Sequence, residues 1–277
     1  MVILAVLFAA FLHALWNFIL RGSIDKFISM TAVVLGHLPL AIMGIFIFGL
    51  PNINGLIFIL VSSFLHVFYQ IFLLNAYRYG ELSEVYPVAR GLSPLIITTI
   101  SLFFLNEDIS FYEVLGIFMI SLSLIIYGIK QIRNNKSNIT GFYLAIATGC
   151  LIASYSIVDG HGARVTQNPV GFFSSMTLIN AFIFYCFARW KERQIIKKIF
   201  VGEKISFFVG GAASYLAYGI VVWACLYLPI AVVSSVRETS ILFAVFLGLL
   251  FLKEKLNFFK LFLIIGLFLG LIFLRLG

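Results

Sequence analysis

The sequence predicts an all-α integral membrane protein with ten transmembrane helices, arranged as two inverted five-helix repeats. Three observations lead to this prediction. First, hydrophobic residues make up 62% of the 277 residues and charged residues only 11%, which is more apolar surface than a soluble domain needs. Second, the apolar residues form ten stretches that can each cross a hydrocarbon core of ~30 Å. Third, the stretches at 82–107 and 230–254 resemble each other at a fixed distance along the chain.

Hydropathy assigns the ten spans in order along the chain. They are residues 2–20, 27–49, 55–79, 82–105, 111–129, 140–158, 170–188, 205–228, 230–252 and 257–274. Spans 1 to 5 form one predicted repeat (residues 1–129) and spans 6 to 10 a second (140–277), joined by the basic linker 130–139. Because each repeat has an odd number of spans, the second enters the membrane in the opposite orientation.

Spans 4 and 9 carry the clearest evidence of duplication. A distance of 147 positions separates Arg90 from Arg237, and also Glu107 from Glu254. Further identities at this offset include Val85/Val232, Ser93/Ser240, Leu95/Leu242, Phe104/Phe251 and Leu105/Leu252. We therefore expect a binding site where the two repeats meet.

The distribution of basic residues predicts the orientation. Of the 19 Lys and Arg residues, about 15 lie in the loops that follow the odd-numbered spans, including the run RWKERQIIKK at 189–198. The positive-inside rule therefore places these loops in the cytoplasm and both termini outside, in a multi-pass protein of the inner (plasma) membrane. Because the basic residues gather in loops between apolar spans, the net charge of +8 does not indicate nucleic-acid binding.

Two arginines lie inside predicted spans, where charge is costly and usually functional. Arg90 and Arg237 each stand ~10–13 Å into a helix, at 1.5 Å per residue. A guanidinium group suits a carboxylate, phosphate or phosphonate. The alternative is an internal ion pair, for which Glu238 is the obvious partner. Glu84, near the start of span 4, is a candidate partner or proton carrier.

Span 4 also contains two prolines, which flank Arg90. Pro87 and Pro94 each remove a backbone hydrogen bond, so we expect the helix to be kinked or locally unwound around the arginine. Span 9 has no proline, and its sequence indicates no equivalent distortion.

Three other spans each contain a stripe of polar residues at helical spacing. They comprise His13, Trp16 and Asn17 in span 1, His66, Tyr69 and Gln70 in span 3, and Ser214, Tyr215 and Tyr218 in span 8. Side chains at i, i+3 and i+4 share a face, and a polar face turns towards other helices or a cavity. They either line a substrate path or form hydrogen bonds between helices.

Other residues leave open questions about coupling and assembly. Histidine titrates near neutrality, so proton coupling through His13 or His66 is a hypothesis. Gly266 and Gly270 are four residues apart, a spacing that permits close helix packing within the fold or in a homodimer. The three cysteines show no disulfide or metal-site spacing, and no Walker A motif is present, so neither a metal nor any other cofactor is expected.

These features resemble the EamA family of the drug/metabolite transporter superfamily. The duplicated ten-span plan and the glutamate after the fourth span of each half (Glu107 and Glu254) carry the likeness. The strings HALWN at 13–17 and YSIVDGHGAR at 155–164 are similar to a branch of EamA-like proteins associated with phosphonate utilisation. That resemblance implies a small phosphonate or amino-acid-like solute. Asp159 and Arg164 in the second string either form a gating ion pair or cap the helix end in water.

The leading hypothesis is a secondary transporter that moves a small polar metabolite by alternating access. Its partners would be a small-molecule substrate and the lipid bilayer. Alternatives are a non-transporting sensor or accessory protein, and a drug or lipid-carrier exporter of the same fold. A membrane enzyme is disfavoured because the few acidic residues are scattered and mostly lie at loop ends.

Overall fold

The computed structural model describes residues 1–79, 82–134, 139–251 and 256–277 of the chain. Helices are the only regular secondary structure within these ranges. The α-helices are α1 (Val2–Gly22), α2 (Lys26–Gly36), α3 (Leu38–Phe48), α4 (Leu56–Tyr79), α5 (Leu82–Phe103), α6 (Phe111–Asn134), α7 (Ile139–Thr166), α8 (Pro169–Lys191), α9 (Ile195–Gly202), α10 (Gly211–Ala224), α11 (Ile230–Glu238), α12 (Ser240–Phe251) and α13 (Phe258–Leu276). A 3₁₀ turn (Ile53–Gly55) precedes α4, and a π-helical turn (Ser206–Gly210) precedes α10.

Ten helical segments in the described part of the chain are long and apolar enough to cross a membrane, which confirms the predicted fold class. Two of the ten are interrupted. The span Lys26–Phe48 changes from α2 to α3 at His37, just before Pro39, which has no N–H to continue the hydrogen-bond ladder. The span Ile230–Phe251 changes from α11 to α12 at Thr239.

The chain divides into two compact units. Unit 1 contains Met1–Val67 and Val158–Leu226, and unit 2 contains Phe68–Ile157 and Tyr227–Gly277. Each unit therefore combines a segment from the first half of the sequence with one from the second. The division into repeats at 1–129 and 140–277 stays a prediction.

Close backbone approach holds the helices of unit 1 together. Glycines make this approach possible, because a Cβ added to Gly36 would lie 2.0 Å from the carbonyl oxygen of Phe207, and one on Gly211 would lie 2.6 Å from the Cα of Gly36. Nearby, the hydroxyl groups of Ser29 and Ser206 share a hydrogen bond of 2.9 Å. The start of α10 is thus fixed against α2 by contacts that larger residues would prevent.

In unit 2, α6 packs against both α5 and α13. The pair Gly266 and Gly270 lies in the second contact, since an added Cβ would meet the side chain of Ser123 at 1.9 Å and that of Ile120 at 2.6 Å. This small-residue pair thus packs within the fold, which answers the question that the sequence left open. A homodimer would therefore need a contact surface other than the one that contains Gly266 and Gly270.

The glutamate that follows α5 has a structural role in unit 2. Both carboxylate oxygens of Glu107 accept a hydrogen bond from the backbone N–H of Ile230, at 3.2 and 3.1 Å. Ile230 is the first residue of α11, where backbone N–H groups have no partner inside the helix. Glu107 thus caps α11 and also places a negative charge at the positive end of its dipole. Its sequence counterpart, Glu254, lies outside the described residues.

Candidate functional site

Unit 2 contains a buried cluster of charged residues from α5 and α11. Arg90 and Arg237 are each 1% exposed, and Glu238 is fully buried. The Nε of Arg90 forms an ion pair with Glu238. The Nη2 of Arg90 also donates to the Ser240 hydroxyl at 3.1 Å and to the carbonyl oxygen of Arg237 at 3.4 Å. The ion pair that the sequence offered as an alternative for Arg90 is therefore present.

Arg237 shares the same carboxylate. Its Nη2 donates to Glu238 Oε1 at 3.4 Å and to the Ser234 hydroxyl at 3.3 Å. Among the described side chains of unit 2, Glu238 is the only buried acid, so two guanidinium groups face one carboxylate. Within the described residues, the cluster thus comprises two guanidinium groups and one carboxylate, in membrane-spanning segments. The side chain of Glu84, predicted to lie near these groups, is outside the described part.

The repeat register places a glycine where the first repeat would have the counterpart of Glu238. Position 91 stands 147 residues before position 238, and it holds a glycine. A Cβ at Gly91 would lie 2.8 Å from the side chain of Leu124 and from the carbonyl oxygen of Ser121. Close packing against α6 thus leaves no space for a carboxylate at position 91. The arginine is repeated at this register, but Glu238 is not.

The local unwinding predicted for span 4 is not found, its kink stays a prediction, and span 9 is interrupted instead. Helix α5 continues through Pro87 and Pro94. Span 9 is interrupted at Thr239, whose N–H and hydroxyl group both donate to the carbonyl oxygen of Val236, at 3.1 and 2.6 Å. Hydroxyl side chains that bond back to the preceding turn compete with the helix ladder, whereas membrane helices often tolerate proline. This turn places the carbonyl group of Arg237 within reach of Arg90.

Tyrosine rings surround the arginine cluster. The Tyr86 ring centroid lies 5.3 Å from Cζ of Arg90, a distance typical of a cation–π contact. Tyr69 and Tyr155 are also buried in unit 2, with ring centroids 5.3 Å apart. Sequence reasoning missed Tyr86, although its position four residues before Arg90 puts the two on one helix face.

Unit 1 contains a second polar cluster, centred on Asp159. Its carboxylate is 1% exposed and accepts hydrogen bonds from the hydroxyl groups of Ser62 and Tyr218, the latter at 2.7 Å. His66 Nε2 lies 3.0 Å from Oδ2 of the same residue. The structure thus brings together Asp159, His66 and Tyr218 from three helices, and it adds Ser62, which the sequence did not indicate.

This burial corrects the expectation that Asp159 caps a helix end in water. Helix α7 does not end at residue 158 but continues to Thr166. Helix α7 continues through the glycines of this motif. One of them, Gly162, packs tightly, because an added Cβ would lie 2.5 Å from the Phe172 ring. Arg164, proposed as the gating partner, donates from Nε to the carbonyl oxygen of Cys225 at 2.7 Å.

Other predicted residues make further contacts. In α1, Trp16 donates to His13 Nδ1 at 3.3 Å, and Asn17 donates to the carbonyl oxygen of His13 at 2.8 Å. Tyr215 exchanges a hydrogen bond of 2.7 Å with Ser174. The predicted stripe of span 3 is divided, because His66 belongs to unit 1 whereas Tyr69 and Gln70 belong to unit 2. No group of three potential metal ligands occurs among the described residues.

Comparisons with known proteins agree with the observed architecture. A family model described as "EamA-like transporter family" matches residues 1–129 and 139–276. One solved structure, described only as "Crystal structure of protein", has a TM-score of 0.75 with 14% sequence identity, over 99% of this chain and 95% of the other. At that identity the likeness shows the fold alone. No curated protein matched in a sequence comparison.

Proposed function

Because the chain belongs to the EamA-like transporter family, we propose that it is a secondary transporter for a small organic anion or zwitterion. An amino acid or an aminophosphonate, as the phosphonate-associated motifs imply, fits this class. Transport would proceed by alternating access, without ATP hydrolysis. The observation that carries the proposal is the cluster of two buried arginines that share one buried glutamate.

The charge of this cluster favours an anionic group. A buried arginine in a membrane costs about 2.5–3.5 kcal/mol by insertion scales, and a substrate carboxylate or phosphonate next to the two guanidinium groups would offset part of that cost. Arginine also offers paired N–H donors that match the two oxygens of such a group. Ser234 and Ser240 supply hydroxyl groups next to the same guanidinium nitrogens.

A zwitterion would satisfy the cluster most completely. Its acidic group would pair with Arg90 and Arg237, while its ammonium group would pair with Glu238. In the empty site, the ion pair between Arg90 and Glu238 stabilises these two charges. This ion pair would open as the substrate binds. The substrate would therefore replace existing contacts within the arginine cluster instead of entering an empty cavity.

The Asp159 cluster supports the hypothesis of proton coupling. An imidazole next to a carboxylate can take up a proton near neutral pH and form an ion pair. The groups that face His66 are Asp159 on α7, Tyr218 on α10 and, by an electrostatic interaction, His37 between α2 and α3. Proton binding at this cluster would provide the driving force for substrate movement.

The orientation of the proposed transporter follows the distribution of its basic loops. We place it in the inner (plasma) membrane with both termini on the external side, since the loops after the odd-numbered spans hold most of the Lys and Arg residues.

Thermal unfolding of the purified full-length protein in detergent tests the substrate class. Aminophosphonates, amino acids, organic acids, polyamines and aromatic cations would be added in turn. A ligand at 100 times its Kd stabilises by about 2.7 kcal/mol, which gives a measurable shift in Tm. We expect anions or zwitterions to stabilise the wild type and not Arg237→Gln, which keeps the pair between Arg90 and Glu238.

Lys260→Gln is the matched control, because it removes a different buried cation of unit 2. It should respond to ligand as the wild type does. Stabilisation by aromatic cations or apolar compounds alone would overturn the proposal and favour a drug exporter.

A further inference from the structure

A cavity lies in unit 1, between α3, α8 and α10. Its volume is about 300 Å³, and its walls include Met43, Ile47, Phe173, Leu216, Gly219 and Trp223. A cavity of ~150 Å³ already holds one benzene molecule, so this one has space for a larger apolar group. Its lining residues all belong to unit 1, whereas the arginine cluster belongs to unit 2.

The wall of the cavity presents almost no polar atoms. Tyr215 and Trp223 carry polar atoms, and the hydroxyl group of Tyr215 already shares a hydrogen bond of 2.7 Å with Ser174. The pair of Tyr215 and Ser174 packs against Gly44, where an added Cβ would lie 2.4 Å from Oγ of Ser174. A polar metabolite would therefore lose its hydration in this cavity for few new hydrogen bonds, whereas a hydrocarbon chain needs none.

The rim of the cavity lies on the outer surface of membrane-spanning helices. Met43, Ile47 and Leu216 are 51%, 61% and 47% exposed. They belong to the spans Lys26–Phe48 and Ser206–Ala224. Side chains exposed on such spans contact lipid, so the cavity opens towards the hydrocarbon layer.

The extent of the cavity fits one leaflet. Its walls run from Leu40 to Phe48 on α3 and from Tyr215 to Trp223 on α10. Eight residues of helix correspond to about 12 Å, somewhat less than half of a hydrocarbon core of ~30 Å. Both wall segments end where their spans end, so the cavity extends from the membrane surface towards the midplane.

Polar groups mark the surface end of the cavity. Asn168 donates to the carbonyl oxygen of Phe48 at 2.9 Å, and Arg164 donates to that of Cys225 at 2.7 Å. These contacts fix an amide and a guanidinium group at the ends of α3 and α10. A guanidinium group is cationic and suits a phosphate.

We propose that this cavity binds a phospholipid from the bilayer. One acyl chain occupies the space between α3, α8 and α10, and the phosphate group lies near Arg164. The apolar wall, the opening to lipid, the length of one leaflet and the cation at the surface end all match an amphiphile with a long tail. This site is independent of the substrate and of the arginine cluster.

Photo-crosslinking tests the proposal. The full-length protein would be placed in vesicles that contain phosphatidylglycerol with a diazirine in the middle of one acyl chain, and labelled peptides would be mapped by mass spectrometry. We expect labels to concentrate on Met43, Ile47 and Leu216. Gly219→Leu, whose side chain fills the cavity, should reduce these labels at least fivefold.

Gly219→Ala is the matched control, because its Cβ would lie 3.4 Å from the Phe173 ring, an ordinary contact. It should label as the wild type does. Arg164→Gln should reduce labelling by phosphatidylglycerol while the thermal stability of the protein is kept.

Two results would overturn the proposal. One is labelling spread evenly over all lipid-exposed helices and unchanged in Gly219→Leu. The other is crosslinking between two copies of the chain through Met43 or Leu216, which would identify this face as a dimer contact.

Discussion

Arg90 forms a buried ion pair with Glu238, which follows it by 148 positions in the chain. Glu238 also contacts Arg237, so one carboxylate serves two guanidinium groups. The members of this cluster are therefore not equivalent, and their replacement should have unequal effects on stability and on binding.

Removal of the shared carboxylate should be the most damaging change. Glu238→Gln is expected to lower the free energy of unfolding by about 3–5 kcal/mol, because two buried cations lose their counter-ion and repel each other. Arg90→Gln should lower the free energy of unfolding less, because Glu238 keeps its contact with Arg237. Unfolding of both variants in the same detergent measures the difference, and equal losses would contradict a shared carboxylate.

Loss of the cap on α11 should destabilise unit 2 moderately. Glu107→Ala removes the acceptor of the Ile230 N–H, which typically costs about 0.5–2 kcal/mol. Glu107→Gln keeps an acceptor oxygen and should lose only part of this stability. The exposed neighbour provides the control, so Asp108→Ala should leave the midpoint of unfolding unchanged. A loss of similar size at both positions would count against a specific cap.

Transport should depend on pH through His66 if protons are coupled to substrate. We expect uptake into proteoliposomes to be driven by an imposed pH difference, with the pair of His66 and Asp159 as the proposed proton carrier. His66→Gln should abolish the pH-driven component. His161→Gln changes an exposed histidine of α7 and should behave as the wild type. A wild-type rate that is constant from about pH 5 to 8 would refute the coupling.

The orientation can be measured by cysteine labelling. Single cysteines would replace Asn52, between α3 and α4, and Lys197, between α8 and α10, in a variant without Cys150, Cys186 and Cys225. A membrane-impermeant reagent is expected to label position 52 in intact cells and position 197 only after permeabilisation, because basic loops stay in the cytoplasm. The reverse pattern would invert the assigned topology.

Much of the fold follows from hydropathy, but breaks within spans do not. The ten spans are clear from composition, because helices in lipid must be long and apolar. The two prolines predict a distortion in span 4, but the break in the helix occurs at Thr239 in span 9. Thr239 uses hydrogen bonds to its own backbone, and the sequence alone does not reveal which hydroxyl group will do so.

The candidate sites could be predicted in part, for a related physical reason. A charged residue in an apolar span is conspicuous, so Arg90 and Arg237 are evident from the sequence. Asp159 lies just beyond the predicted span 140–158 and is indicated only by the resemblance of its motif. Their partners were harder to find, since the choice depends on which helices meet. Ser62 illustrates this, because nothing in its own span distinguishes it from other serines that simply bond to their helix.

The composition of the two units has a consequence for biosynthesis. Unit 1 receives its last residues at Leu226, whereas unit 2 needs α11 to α13, which are synthesised later. Glu238 is synthesised 148 residues after Arg90. Arg90 in helix α5 therefore lacks this partner until α11 has been made, and maturation of unit 2 is expected to follow insertion of α11.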